Sequence, residues 1–153
     1  MKFARLSLLA AAAFAVVAFS AQAEARRGDP PPAPTNHPIA AVINDPDFAA
    51  HTQGVTFYFG NQGHPAIAQR IQRDVTTRRP TRSRSDAEEA CQGALLNSLI
   101  ALRNWALSNG GNAVVNIRSN TNNLEFSSRT EYQCVRSGRR VTAALKGDVV
   151  RLR

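Results

Sequence analysis

From Asp86 to Ser108 apolar residues recur at three- and four-residue intervals, the strongest local signal in the chain. At 100° per residue, Cys91, Ala94, Leu95, Ser98, Leu99, Leu102, Trp105 and Ala106 share one face, and Gly93, Asn97, Asn104 and Ser108 lie opposite. Leu96, Ile100 and Leu107 widen the apolar surface beyond one stripe. Ser85 and Glu88 have capping-box spacing. Asp86, Glu88 and Glu89 place negative charge at the positive end of the helix dipole, and Gly110 with Gly111 supplies a stop. The segment is predicted to be the principal core helix, with Trp105 as a core anchor rather than a platform for stacking a ligand.

Strand patterns flank it. Val55 to Phe59 is a β-branched and aromatic run between Gly54 and Gly60. Asp74 to Thr77 reads as a second strand and Ala113 to Ile117 as a compact central one. Arg129 to Val135 and Val141 to Leu145 follow, with Ser137 and Gly138 as the turn between them, and Val149 to Leu152 closes the chain. Asn120 to Asn123 is rich in turn residues. Ile39 to Ile43 predicts a helical turn broken by Asn44, Asp45 and Pro46, and His64 to Ile71 a short helix starting near Pro65. This order predicts an α+β domain: a mainly antiparallel sheet with the long helix packed across one face.

The N-terminal pattern is of another kind. Lys2 and Arg5 precede an uncharged apolar run, Leu6 to Phe19, which is shorter than the roughly 20 residues a bilayer span needs. Ala21, Gln22 and Ala23 place small residues where a signal peptidase reads. The pattern predicts a signal peptide over 1–23, cut between Ala23 and Glu24, rather than a membrane anchor. Residues 24–38, rich in proline and charge, predict an extended leader, and 39–153 a single domain. Composition then changes meaning. Of 153 residues 43% are hydrophobic, but 18 of these lie in 1–23, leaving a rather polar domain. The length excludes a multidomain enzyme, and no transmembrane segment is expected after signal cleavage.

Cys91 and Cys134 are the only cysteines, which excludes a disulfide-dense miniprotein. An oxidising compartment favours pairing them in one structural disulfide. The competing readings are a redox-active pair and a two-thiolate metal site. Neither has local support, because there is no C-x-x-C spacing, and His37, His51 and His64 show no ligand spacing around the cysteines. No cofactor and no metal are predicted.

Several segments resemble a family of small exported bacterial proteins that automated labels sometimes call excinuclease subunits. They are FYFGNQGHP (Phe57 to Pro65), SRSDAEEAC (Ser83 to Cys91), GGNAVVNIRS (Gly110 to Ser119), SSRTEYQC (Ser127 to Cys134) and ALKGDVV (Ala144 to Val150). The resemblance implies an exported single domain with this cysteine pair and no established activity. The chain departs from it in carrying arginine and proline over Arg78 to Arg84. More distantly, Cys91 to Gly147 is similar to the folded domain of the outer-membrane lipoprotein that senses stress for the Rcs pathway. The lipid-attachment cysteine and second disulfide of that protein are missing from this chain, so signalling does not carry over.

The excinuclease label fails on chemistry. No G-x-x-x-x-G-K-[ST] loop is present to cradle nucleotide phosphates, and Lys146 is the one lysine after residue 23. A G-x-S-x-G elbow and an H-E-x-x-H helix are likewise missing. Adjacent Glu88 and Glu89 point in different directions from a helix and read as helix-start charges, not an acid/base pair. The prediction is a non-catalytic protein.

Charge is the remaining lead. The formal net charge is +8 overall and +6 after removal of 1–23, almost all from arginine, whose planar fork grips carboxylate or phosphate with two hydrogen bonds. Arg70, Arg73, Arg78, Arg79, Arg82 and Arg84, with Asp74 the one acid among them, can steer an anionic partner. The candidate partners are an anionic envelope component or an envelope protein. The alternative is a solvated loop whose charge only keeps the protein soluble. Aromatics are not interleaved with these arginines, which together with export disfavours nucleic acid.

Overall fold

The computed structural model describes residues 30–82 and 86–153, and the described helices and strands all lie within Pro31–Arg153. The expectations for 1–23, for the Ala23/Glu24 cut, for residues 24–29, and for Arg84 and Ser85 lie outside the described residues. The predicted long helix is α3, Ala87–Ser108. Its cap is Asp86, whose carboxylate accepts from the Glu88 amide at 2.9 Å, so an anion satisfies an orphan donor at the helix start. Asn109 ends it, and Gly110 turns the chain away at φ +78°, a conformation that favours glycine. The predicted stripe is the buried one: Cys91, Ala94, Leu95, Ser98, Leu99, Leu102 and Ala106 all face the core. Trp105 is only half-buried.

Two sheets receive that helix. Strand β1 (Thr35–Pro38) comes first, then two short helices, α1 (Ala40–Ile43) and α2 (Pro46–His51). There follow β2 (Thr56–Phe59), β3 (Ile67–Arg78) and β4 (Thr81–Arg82), and after α3, β5 (Ala113–Thr121), β6 (Leu124–Phe126), β7 (Glu131–Ser137), β8 (Arg140–Thr142) and β9 (Ala144–Leu152). One sheet has the order β2-β5-β9-β3, with β6 beside the end of β5; the other has the order β1-β7-β8-β4. Among the described residues only the β2/β5 pair is parallel. The α+β architecture, mainly antiparallel with one long helix across it, is thus the one read from the sequence, divided between two sheets that α3 contacts together.

The division falls at Ala143. The run from Val141 to Leu145 is not one strand: it leaves β8 in one sheet and enters β9 in the other. The break exposes a buried carbonyl, and the core helix satisfies it, since Ser98 Oγ donates to Ala143 O at 2.6 Å. Thr77 Oγ1 in turn donates to Ser98 O at 3.2 Å, tying β3 to the same turn of α3. Ser98 sits on the apolar face because its hydroxyl satisfies the Ala143 carbonyl where the chain passes between the sheets.

Four further readings change. The helix expected over His64–Ile71 is not formed, and Asp74–Thr77 is not a separate strand; both belong largely to β3, which runs twelve residues along β9. Register shifts at three places break the period-two alternation, and at the last of them Asp74 takes φ +56° while its amide donates to Asp148 Oδ1. Pro65, expected to start a helix, lies in the link 60–66 that carries the chain from β2 at one edge of the sheet to β3 at the other. Asp45 and Pro46 do end α1, but they also start α2: the Asp45 carboxylate accepts from the Asp47 amide at 2.8 Å, with Pro46 at the first helical position. Lastly, Thr35–Pro38, expected in the leader, pairs with β7.

The main core lies between α3 and the sheets, around Leu95, Leu99, Leu102, Val114, Ile117 and Leu145. A smaller cluster, Ala113, Val115 and Val150, occupies the opposite face of the five-stranded sheet, as the alternation of Val114 with Val115 requires. Among the described residues no helix is long and apolar enough to cross a membrane.

Candidate functional site

The arginine segment is a pair of sheet edges, not a loop. Arg70, Arg73 and Arg78 belong to β3, the outer strand of the five-stranded sheet, and Arg82 to β4, the outer strand of the other. Arg79 and Pro80 join them. All five described arginines are exposed, and among the described residues none of them forms an ion pair. Charge on an edge strand also blocks pairing with a second sheet, so protection of β3 is part of their role.

Asp74, the one acid in the segment, does not neutralise them. Its carboxylate pairs with Arg118 and lies 3.9 Å from Lys146 Nζ. Glu125 closes the network, 2.6 Å from Arg118 Nε and 2.6 Å from Lys146 Nζ. Hydrogen bonds from Lys146 and Arg118 hold the Glu125 carboxyl below its ordinary pKa. For Arg118, burial acts to lower the pKa, but the bonds to Glu125 and Asp74 together outweigh it and the value rises. Two acids and two bases from β3, β5, β6 and β9 are thus mutually satisfied, so neither acid of this network is paired with an edge arginine.

The tertiary structure enlarges the basic surface with residues that sequence reasoning missed. Arg82 of β4 stands directly opposite Arg140 of β8. Opposite residues of an antiparallel pair project from the same face, and like charges there are destabilising. Arg139 lies in the turn beside Arg140, and Arg136 ends the same hairpin with its Nε donating to Gly138 O at 3.1 Å. The three arginines around the predicted turn were visible in the sequence. Their proximity to Arg82 was not, because it depends on a strand pair 58 residues apart.

On the other side of the link, Arg79 and Pro80 meet the outer face of α3. With Asn97, Ile100, Asn104 and Trp105 they line an open groove of about 590 Å³. Trp105 packs against the core and also forms part of this wall, so a core anchor can present a surface to a ligand as well.

The predicted disulfide is formed. Cys91 on α3 and Cys134 on β7 are bonded, with Cα atoms 5.9 Å apart, and tie the helix to the four-stranded sheet. His37 has one ring nitrogen within 4.8 Å of both sulfurs, although no sequence spacing indicates it: β1 pairing with β7 sets Thr35 opposite Cys134 and His37 opposite Tyr132. His64 stacks edge-on with Tyr58 at 5.6 Å, and His51 ends α2. Glu88 and Glu89 occupy the first turn of α3, as helix-start charges should.

Tyr132 is buried, and its hydroxyl has no hydrogen-bond partner among the described residues. Burial, and then the charge of Glu88, raise the pKa of the phenol above its ordinary value. An unpartnered buried hydroxyl costs stability, so Tyr132→Phe is expected to stabilise the fold by about 1–2 kcal/mol in urea denaturation. A destabilised variant would show that the hydroxyl is satisfied after all.

Comparison with protein-family models, with curated proteins and with solved structures yields no match to this chain.

Proposed function

We propose that this protein is an exported, non-catalytic binding module of the cell envelope that docks on an anionic component through the β3–β4 edge and the β7–β8 hairpin. The observation that supports it is the Arg82–Arg140 pair. Arg82 and Arg140 stand opposite each other in the strand register, with Arg78, Arg79 and Arg139 nearby in the chain, and Asp74, the acid within the arginine segment, is paired with Arg118. Such a pair is a standing cost to the fold that an anion bound between the two forks removes. The signal-like N-terminus, the cysteine pair and the family resemblance support export.

Each arginine at an anionic lipid surface adds about 1 kcal/mol of attraction. Replacing Arg78, Arg79, Arg82, Arg139 and Arg140 by serine is therefore expected to lower retention on phosphatidylglycerol vesicles by well over tenfold. Retention of the parent should fall steeply as salt rises and be weak on neutral phosphatidylcholine. Equal retention of parent and variant at low salt would sink the proposal.

A further inference from the structure

The disulfide and the histidine beside it carry a second proposal, independent of the basic edge. We propose that reduction of Cys91–Cys134 opens a two-cysteine, one-histidine site for a borderline-soft divalent ion, with Zn²⁺ the fitting class. The ligand atoms of His37, Cys91 and Cys134 already lie within 4.8 Å of one another. Bonds of about 2.3 Å to sulfur and 2.0 Å to nitrogen place tetrahedral zinc ligands about 3.5–3.8 Å apart. Once the S–S bond is broken, a shift of the order of 1–2 Å gives that spacing. The two Cα atoms, 5.9 Å apart, permit it with side-chain rotation.

The imidazole is held ready. Thr35 Oγ1 donates its proton to Cys134 O at 3.3 Å and lies 2.8 Å from His37 Nε2. With its one proton committed, the hydroxyl can only accept, so Nε2 carries the hydrogen. Nδ1 then keeps its lone pair and has no protein partner among the described residues. An outer hydrogen bond of this kind fixes the tautomer of a histidine whose other ring nitrogen takes the metal. The Tyr132 ring, 5.6 Å from the imidazole, walls the site on one side. The sulfurs are buried, but His37 is half-buried on β1, an outer strand of its sheet, which gives an ion a route in.

The chemistry balances with a dithiol as reductant. It passes two electrons to the Cys91–Cys134 bond and closes its own disulfide, leaving two protein thiols. Each thiol releases a proton to solvent as the metal binds. Three protein ligands leave a fourth position for water.

The test is anaerobic titration of the dithiothreitol-reduced, desalted chain with Co²⁺ as the spectroscopic substitute for Zn²⁺. The expected result is one equivalent bound, with thiolate-to-metal absorption in the near ultraviolet, and none by the oxidised protein. Loss of an outer hydrogen-bond partner weakens metal sites by about 10–100-fold. Thr35→Val should fall in that range and His37→Ala beyond it. Circular dichroism is read in parallel. If reduction unfolds the chain, refolding on addition of Co²⁺ supports the site, and failure to refold overturns it. A reduced, folded chain that takes up no Co²⁺, or His37→Ala binding as tightly as the parent, also overturns it.

Discussion

Replacing Cys91 and Cys134 together by alanine is expected to lower the unfolding free energy by about 4 kcal/mol. The two residues are 43 apart in sequence, and in the loop-entropy model a closure of that length removes this much from the denatured state. Alanine is the informative replacement, because both side chains are buried and serine would add unpartnered hydroxyls. The crosslink joins the second turn of α3 to β7, so the denatured chain of the variant regains every arrangement in which helix and sheet are apart. Small domains have total stabilities of about 5–15 kcal/mol, and a loss of 4 is a large share. Urea denaturation of parent and variant under non-reducing conditions measures it. A difference below about 1 kcal/mol would mean that the disulfide hardly constrains the denatured ensemble.

Leu99→Ala should cost about 2–5 kcal/mol. Leu99 has no exposed surface and sits mid-helix, where α3 is packed against strands of both sheets. Deleting its isobutyl group removes buried apolar contact and leaves a cavity whose walls belong to elements fixed by their own hydrogen bonds, so collapse is limited. Asn97→Ala on the exposed face of the same helix should change stability by less than about 0.5 kcal/mol. That contrast separates packing from helix propensity. Leu99 and Cys91 are eight residues apart on the helix, about 12 Å along its axis, so their effects should add. A variant combining both changes is expected to lose about 6–9 kcal/mol, a large share of the stability of a small domain. Equal losses for Leu99→Ala and Asn97→Ala would contradict the assigned burial.

The basic edge was legible in part. The concentration of arginine between Arg70 and Arg84 stands out in the chain, and the exposure of its described members agrees with a partner surface or a solubilising one. Nothing in the local pattern could show that Asp74 is occupied by Arg118 and Lys146, since those partners come from β5 and β9. The pairing of Arg82 with Arg140, and the approach of His37 to the two sulfurs, are likewise products of strand register.

The difference is one of range. The start of α3 near Asp86, the stop at Gly110, the buried stripe of α3 and the strands read at Val55–Phe59 and Ala113–Ile117 depend on interactions within a few residues, and periodicity with turn chemistry states them directly; the cap itself is Asp86, one residue past the Ser85 of the capping-box reading. The cysteine pair belongs with them, because two cysteines have one possible partnership. Only the Asp74–Thr77 part of β3 was legible as strand, because bulges disturb the alternation of the rest and its pairing is with the last strand of the chain. The passage of Val141–Leu145 from one sheet to the other turns on a hydroxyl of the helix, Ser98, that arrives from 45 residues away. By itself the sequence determined which segments could be core helix, central strand and crosslink, through free energies that are local and additive. Tertiary structure decided which charges and ligands meet, because pairing two strands sets every cross-strand neighbour at once and no single residue in the chain records it.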